Sequence, residues 1–310
     1  MAAPLPEPST PSIGGLGTVL ASANTPPPLP SLLSSRHLRR QRLGRTLELW
    51  IPAGFLVLIL AMCFLWPLVY NLPSATNGNI LAASEPPFSP GHILGTDPVG
   101  VDIFSQIVYG GQEAFEVSVG ATVIGLVVGC AIGITAGYFG RWTDAVLSRI
   151  LDVLLAFPAL VLALVISQGL GPSKFHLILA LSAFSIPTVG RVSRGSTLVL
   201  RSQPFMTAAR LAGTRGWRVI TRHVVPNIVP PLVTLSLLGI GILIILEGAL
   251  DYLGDGVPPP APSWGGMIAT GQTVLTATPE YVLIPSIFLL VTVIALNLLG
   301  DALRGRWGVQ

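Results

Sequence analysis

The sequence predicts an all-α integral membrane protein with six transmembrane helices and both termini on the cytoplasmic side. Three observations carry this: the composition, the lengths of the apolar runs, and the one-sided placement of the basic residues. Hydrophobic residues make up 51% of the 310 and charged residues 10%, with a mean hydropathy of +0.72. A soluble domain carries about 25% charge, so this composition excludes one. Apolar runs at Leu49–Tyr70, Val117–Tyr138, Leu151–Ser167, Phe175–Val189, Leu232–Leu250 and Val282–Leu299 approach the roughly 17 to 25 residues a bilayer helix needs. With six crossings, all of the 17 Lys and Arg residues except Lys174 fall on one side. The side that retains Lys and Arg is the cytoplasmic one.

Taken in order, residues 1–48 are a Pro-rich and then basic cytoplasmic segment. Positions 1–34, with Pro26-Pro27-Pro28, cannot bury enough apolar surface to offset ordering entropy, so disorder is expected there. Arg36, His37, Arg39, Arg40, Arg42 and Arg45 precede the first run. A secretory leader is the rival reading, but the segment is too long and lacks a small-residue cleavage site. The transmembrane domain then occupies 49–310, with extracytoplasmic loops at 71–113 and 251–281 and a large cytoplasmic loop at 191–231.

The second run carries Gly125, Gly129, Gly133 and Gly137. Steps of four put a strip without side chains on one helix face, suited to close helix packing or to sliding against a neighbour. Arg149 and Asp152 are three apart on a helix and can pair. Pro158, Pro187 and Pro285 fall within the third, fourth and sixth runs, where they permit either working kinks or static bends. Cys63 and Cys130 lie in apolar runs and read as small core residues. In the large break, Ser202 can cap a short helix with Pro204 in its first turn and Gly213 at its end, while Pro226, Pro230 and Pro231 delimit the next element. Glu247 and Asp251, four apart near the end of the fifth run, share one face; they are either acids of a polar cavity or gate, or structural acids.

Several of these segments resemble one family. Pro204-Phe205-Met206-Thr207-Ala208-Ala209-Arg210-Leu211-Ala212-Gly213, continuing to Val225-Pro226-Asn227, is similar to the cytoplasmic "EAA" loop of permease subunits in binding-protein-dependent ABC importers. Ala208, Ala209 and Gly213 match, and Thr207 stands where the family has Glu. His92-Ile93-Leu94-Gly95-Thr96-Asp97-Pro98-Val99-Gly100-Val101-Asp102 resembles the "LGTD..GRD" signature of the dipeptide, oligopeptide and nickel subfamily. Val101 replaces one Arg of that signature and Gln106 a second, so Asp97 and Asp102 are expected to pair differently here, or simply to fold the loop. Gly137 to Asp144 with Arg149, Asp152 and Ala156 to Pro158, Ile244 to Gly254, Pro258 to Gly265 and Asn297 to Arg304 also match, so the resemblance runs from about Leu49 to Arg306.

This resemblance implies a type I ABC importer permease fold and a subunit that forms half of a passage for short peptides or related small solutes. It implies a homologous second permease subunit, two ABC ATPase subunits or domains, and an extracytoplasmic solute-binding protein, in the inner membrane of a bacterium. ATP and Mg would be bound by the ATPase partners, with no cofactor or metal in this subunit. Phe205, Met206, Thr207, Ala208, Ala209, Leu211 and Gly213 would form the helix that couples to the ATPase, with Arg210 and Arg215 for ion pairs at its rim. Gly95, Thr96, Asp97 and Asp102 mark the extracytoplasmic signature, and Glu247 and Asp251 are candidates for the pathway or gate.

Other functions lack their residues. A P-loop needs Lys after Gly, but Lys174, the sole lysine, follows Ser173. His37, His92, His176 and His223 are scattered, with no His-Glu-x-x-His helix, and there is no Gly-x-Ser-x-Gly elbow. The basic residues report topology and form no nucleic-acid face. A stand-alone channel or ion-coupled carrier is the alternative, but it calls for internal repeats or a self-sufficient gate that the sequence does not display.

Overall fold

A computed structural model describes residues 49–307. The Pro-rich and basic segment 1–48, with its expected disorder, lies outside the described residues. Helix α1 (Leu49–Val69) contains a wide π-helical turn at Ala61–Leu65. Then come α2 (Ile103–Phe139), α3 (Arg141–Leu155), α4 (Ala159–Leu170), α5 (Lys174–Arg201) and the short α6 (Pro204–Leu211). α7 (Gly216–Tyr252) contains a second π turn at Ile220–Val224, and α8 (Trp264–Gly271) and α9 (Glu280–Trp307) complete the fold. No strand occurs among the described residues. Helices α1, α2, α5, α7 and α9 are each long and apolar enough to cross a bilayer; α3 and α4 are bent by 89° at the break between them and make a sixth if the pair is one span.

That bend corrects the third span, which was expected to be one helix over Leu151–Ser167. Pro158 has no N–H to donate and forces extended backbone around itself (ψ 130°), so the helix stops at Leu155 and restarts at Ala159. Two loops are also shorter than expected. Asp102 caps α2 by accepting from the Ser105 N–H at 2.7 Å, so the helix begins inside the stretch 71–113. At the other end, α5 continues to Arg201, which absorbs the first part of 191–231. Pro226, Pro230 and Pro231 do not delimit α7; they lie inside it, just beyond the π turn, where the i→i−4 ladder is already interrupted.

The glycine strip of α2 meets α5. A Cβ on Gly133 would stand 2.1 Å from Ser193 Oγ and 2.2 Å from the Gly190 carbonyl oxygen, and one on Gly129 would stand 2.6 Å from the Ile186 oxygen. The two backbones are therefore in contact, and dispersion along bare helix faces holds them where lipid supplies no hydrophobic drive. Lys174 closes the far end of this pair, 2.8 Å from both Glu113 and Glu116. Asp152 pairs with Arg191 at 2.6 Å rather than with Arg149, and Asp144 takes the guanidinium of Arg194 through two bonds. Both pairs fasten α3 to α5.

Three buried clusters lie along the bundle. One joins α1, α2, α7 and α9 around Trp264; a second joins α2, α4, α5 and α7 around Leu177 and Leu181. The third surrounds Met206 near α6. Because successive helices alternate in direction, α6 lies at the end of the bundle where α2 and α5 finish, and residues 71–102 and 253–279 lie at the opposite, loop end.

Candidate functional site

The first candidate surface is α6. Gln203, not Ser202, precedes the helix, and the Ser202 hydroxyl instead donates back to the Val199 carbonyl at 2.8 Å. The far end is a Schellman turn: the Thr214 N–H donates to Ala209 O at 3.2 Å and the Gly213 N–H to Arg210 O at 3.0 Å. Gly213 has φ +73°, a conformation glycine adopts at no steric cost. These two ends frame two faces. Pro204, Thr207, Ala208 and Leu211, at helical spacing, are exposed, Leu211 by 85%.

The opposite face is Met206 and half-buried Ala209, with Arg210, itself exposed, at its edge. Met206 is fully buried among Ile134, Val189, Val219, Ile220, Val224, Ile228 and Leu232, and Ala209 packs against the same cluster. The Arg210 guanidinium lies 5.5 Å above the Tyr138 ring, a cation–π contact. The expectation that Met206 would be presented outward is thereby corrected: an apolar residue in phase with Ala209 and Arg210 turns inward. Phe205 is partly exposed and tilts against His223 at 6.3 Å. Arg215 is exposed at the start of α7.

The second candidate region is the loop-end scaffold. Thr96, Asp97 and Asp102 are buried. Asp97 Oδ1 accepts from the Val99 and Val101 N–H groups at 2.9 and 2.8 Å, and its Oδ2 accepts from Gln106 Nε2 at 2.9 Å. Gln106 Oε1 in turn accepts from the Tyr281 hydroxyl at 3.2 Å, so one chain of bonds ties loop, α2 and α9. Asp102 faces His92 Nδ1 at 2.9 Å while it caps α2. Thr96 accepts from the Glu85 N–H at 2.9 Å and donates to the Ala82 carbonyl. Gly95, with φ +80°, has no room for a side chain, since a Cβ would come within 2.3 Å of the Glu85 oxygen.

Removing the Asp97 carboxylate leaves three donors unpaired, and the two buried ones, Val101 N–H and Gln106 Nε2, cost about 1–3 kcal/mol each. Asp97→Ala is therefore expected to open residues 71–102 to protease in the purified protein, while Asp97→Asn, which keeps an acceptor for the two backbone N–H groups, stays more resistant.

Glu247 and Asp251 are both buried, at 1% and 7% exposure. Asp251 Oδ1 accepts from the Val257 N–H at 2.6 Å, and a Cβ on Gly256 would stand 1.7 Å from that oxygen. The contacts of Asp251 are those of an anchor for the turn after α7. A cavity of about 180 Å³ between α2, α5 and α7 is lined by Thr122, Ser185, Thr188 and Ser236 among apolar side chains. The Thr122, Thr188 and Ser236 hydroxyls donate to carbonyls of their own helices, so this mid-bundle space presents a largely apolar wall.

Sequence reasoning did not identify Tyr138 beneath Arg210, the Asp144–Arg194 pair, or Trp264. None carries a signal without knowledge of which helices adjoin, although the unusual Gly110-Gly111 pair marks where the Trp264 ring lies.

The family model described as "Binding-protein-dependent transport system inner membrane component" matches residues 129–307. The glutathione transport system permease protein GsiD of Pectobacterium atrosepticum is 35% identical over 256 residues, covering 82% of this chain and 84% of the relative. The dipeptide transport system permease protein DppC of Alkalihalophilus pseudofirmus is 38% identical over 213 residues, covering 69% of this chain and 70% of the relative. Among solved structures, a chain from "Inward facing conformations of the MetNI methionine ABC transporter" superposes with a TM-score of 0.53 at 15% identity, over 66% of this chain and 97% of that one. At that identity the likeness concerns the fold alone.

Proposed function

Because this chain belongs to the family of binding-protein-dependent transport system inner membrane components, in its dipeptide and oligopeptide branch, we propose that it is a permease subunit of an ATP-driven importer of short peptides or related small solutes. It is a multi-pass membrane protein that forms half of a passage, with a homologous second permease subunit forming the other half. The end that carries α6 is cytoplasmic, since Arg191 to Arg222, Arg304 and Arg306 collect there, and the membrane is a bacterial inner membrane. Two ABC ATPase subunits or domains bind ATP and Mg and meet the exposed face of α6. A solute-binding protein delivers to the loop end, whose turn Asp251 anchors. Nucleotide needs only to favour one arrangement of the helices over another by a few kcal/mol.

The observation that carries this reading is the exposed face of α6, Thr207, Ala208 and Leu211, on a helix whose other face is keyed into the bundle. Small and apolar residues on a rigid, protruding helix suit a partner groove. Its test is affinity purification in mild detergent with mass spectrometry of the partners. ATPase and second-permease subunits are expected with the natural chain. Ala208→Glu with Leu211→Glu should lower ATPase recovery by at least about tenfold and keep the second permease. A lone protein that conducts or exchanges solute by itself would overturn the reading in favour of a channel or carrier.

A further inference from the structure

We propose that Met206 is the positioning residue through which α6 moves the transmembrane bundle, acting at a joint formed with the π-helical turn of α7; this rests on the importer reading above. Met206 has no exposed surface and lies in one cluster with Val219, Ile220 and Val224 at the start of α7, Ile228 and Leu232 further along it, Ile134 of α2 and Val189 of α5. It is the single fully buried side chain of α6. Thr207, Ala208 and Leu211 face away from it. Ala209, at the edge of the same cluster, and the Phe205–His223 contact add to this attachment, but Met206 is the one fully buried link, and close-packed contacts transmit displacement where loose ones do not.

The geometry of the receiving element fits a joint. The π turn Ile220–Val224 supplies three members of the cluster's neighbourhood on α7, counting the adjoining Val219. Such turns interrupt the regular ladder and concentrate at functional hinges. Pro226, Pro230 and Pro231 follow at once, so the first part of α7 is already short of backbone hydrogen bonds and bends at lower cost than a regular helix. The second attachment of α6, Arg210 over Tyr138, reaches α2 instead. At an exposed site such a contact is worth about 0.5–1 kcal/mol, less than the buried Met206 cluster. Methionine suits the joint for a physical reason: its unbranched, polarisable chain keeps contact with an irregular pocket through a change of shape.

The experiment is hydrogen exchange by mass spectrometry on the complete transporter, with and without ATP and vanadate. Assembly, nucleotide binding and transmission are read in one measurement. In the natural complex, nucleotide should change exchange both at the α6–ATPase contact and in residues 71–102 and 253–279 at the loop end. Met206→Ala is expected to keep the first change and lose the second, and Met206→Leu, of similar volume, to restore it. A natural response at the loop end in Met206→Ala overturns the proposal. So does loss of the change at the α6–ATPase contact in both variants, which would make Met206 a docking residue. Should Met206→Ala yield no complex, Val224→Ala, which opens the same cluster from α7, carries the same two outcomes. Failure of the importer reading is distinct: no ATPase would accompany the natural chain at all.

Discussion

Gly133→Ala should remove most of the folded protein from detergent extracts, although it adds a single methyl group. That carbon would stand about a bond length inside contact with both Ser193 Oγ and the Gly190 carbonyl oxygen, at 2.1 and 2.2 Å. The carbonyl belongs to the α5 backbone and has no rotamer to change, so α2 and α5 must separate along the shared face. Overpacking of this kind costs about 3 kcal/mol, and separation forfeits contacts at Gly125, Gly129 and Gly137 as well. Gly195→Ala is the control, because a Cβ there meets nothing within 4 Å and alanine favours helix by about 1 kcal/mol. The fraction remaining monodisperse after a temperature ramp measures both. Equal melting of the two variants would refute the close-contact account.

Trp264→Ala should be nearly as damaging, for the opposite reason. The ring is 1% exposed and lies over the two glycines: a Cβ on Gly110 would be 3.2 Å and one on Gly111 2.9 Å from ring atoms. Its Nε1–H donates to the Ile107 carbonyl at 2.9 Å, and Phe288 packs 6.4 Å from it. Truncation leaves a void among α2, α7 and α9 worth about 3–5 kcal/mol. Trp264→Phe fills most of that void and loses the hydrogen bond, about 1 kcal/mol, so its melting point should fall between the other two.

These residues show how far the sequence could be read. The four-residue spacing of Gly125 to Gly137 announced a close helix contact without naming the partner, although Ser185, Val189, Ser193 and Thr197 on α5 keep the same step of four. Hydropathy found the third apolar run and Pro158 allowed a bend in it, but an apolar average is insensitive to a lost backbone donor and does not tell a kink from a break of 89°. The substitution of Gln106 for an expected Arg was visible, and so was the consequence that Asp97 must pair otherwise. That the Gln106 amide would both serve Asp97 and receive Tyr281 required the approach of α9, far along the chain. For Met206, apolarity alone pointed to a partner's groove. Its phase with Ala209 and Arg210, against Thr207, Ala208 and Leu211, points inward and was available to a stricter reading of helical period.

Lys174 closes the α2–α5 pair, and it is the chain's one lysine. Side-chain amine chemistry therefore has a single address in this molecule. Its neighbours there are carboxylates of another helix at 2.8 Å, close enough for a carbodiimide to join them through an amide with no added atoms. Such a bond would staple the loop ends of two helices that otherwise meet along the glycine strip and through Val117, Ala121, Leu177 and Leu181, converting a packed interface into a covalent loop. Its yield would report, residue by residue, whether that end of the pair stays shut.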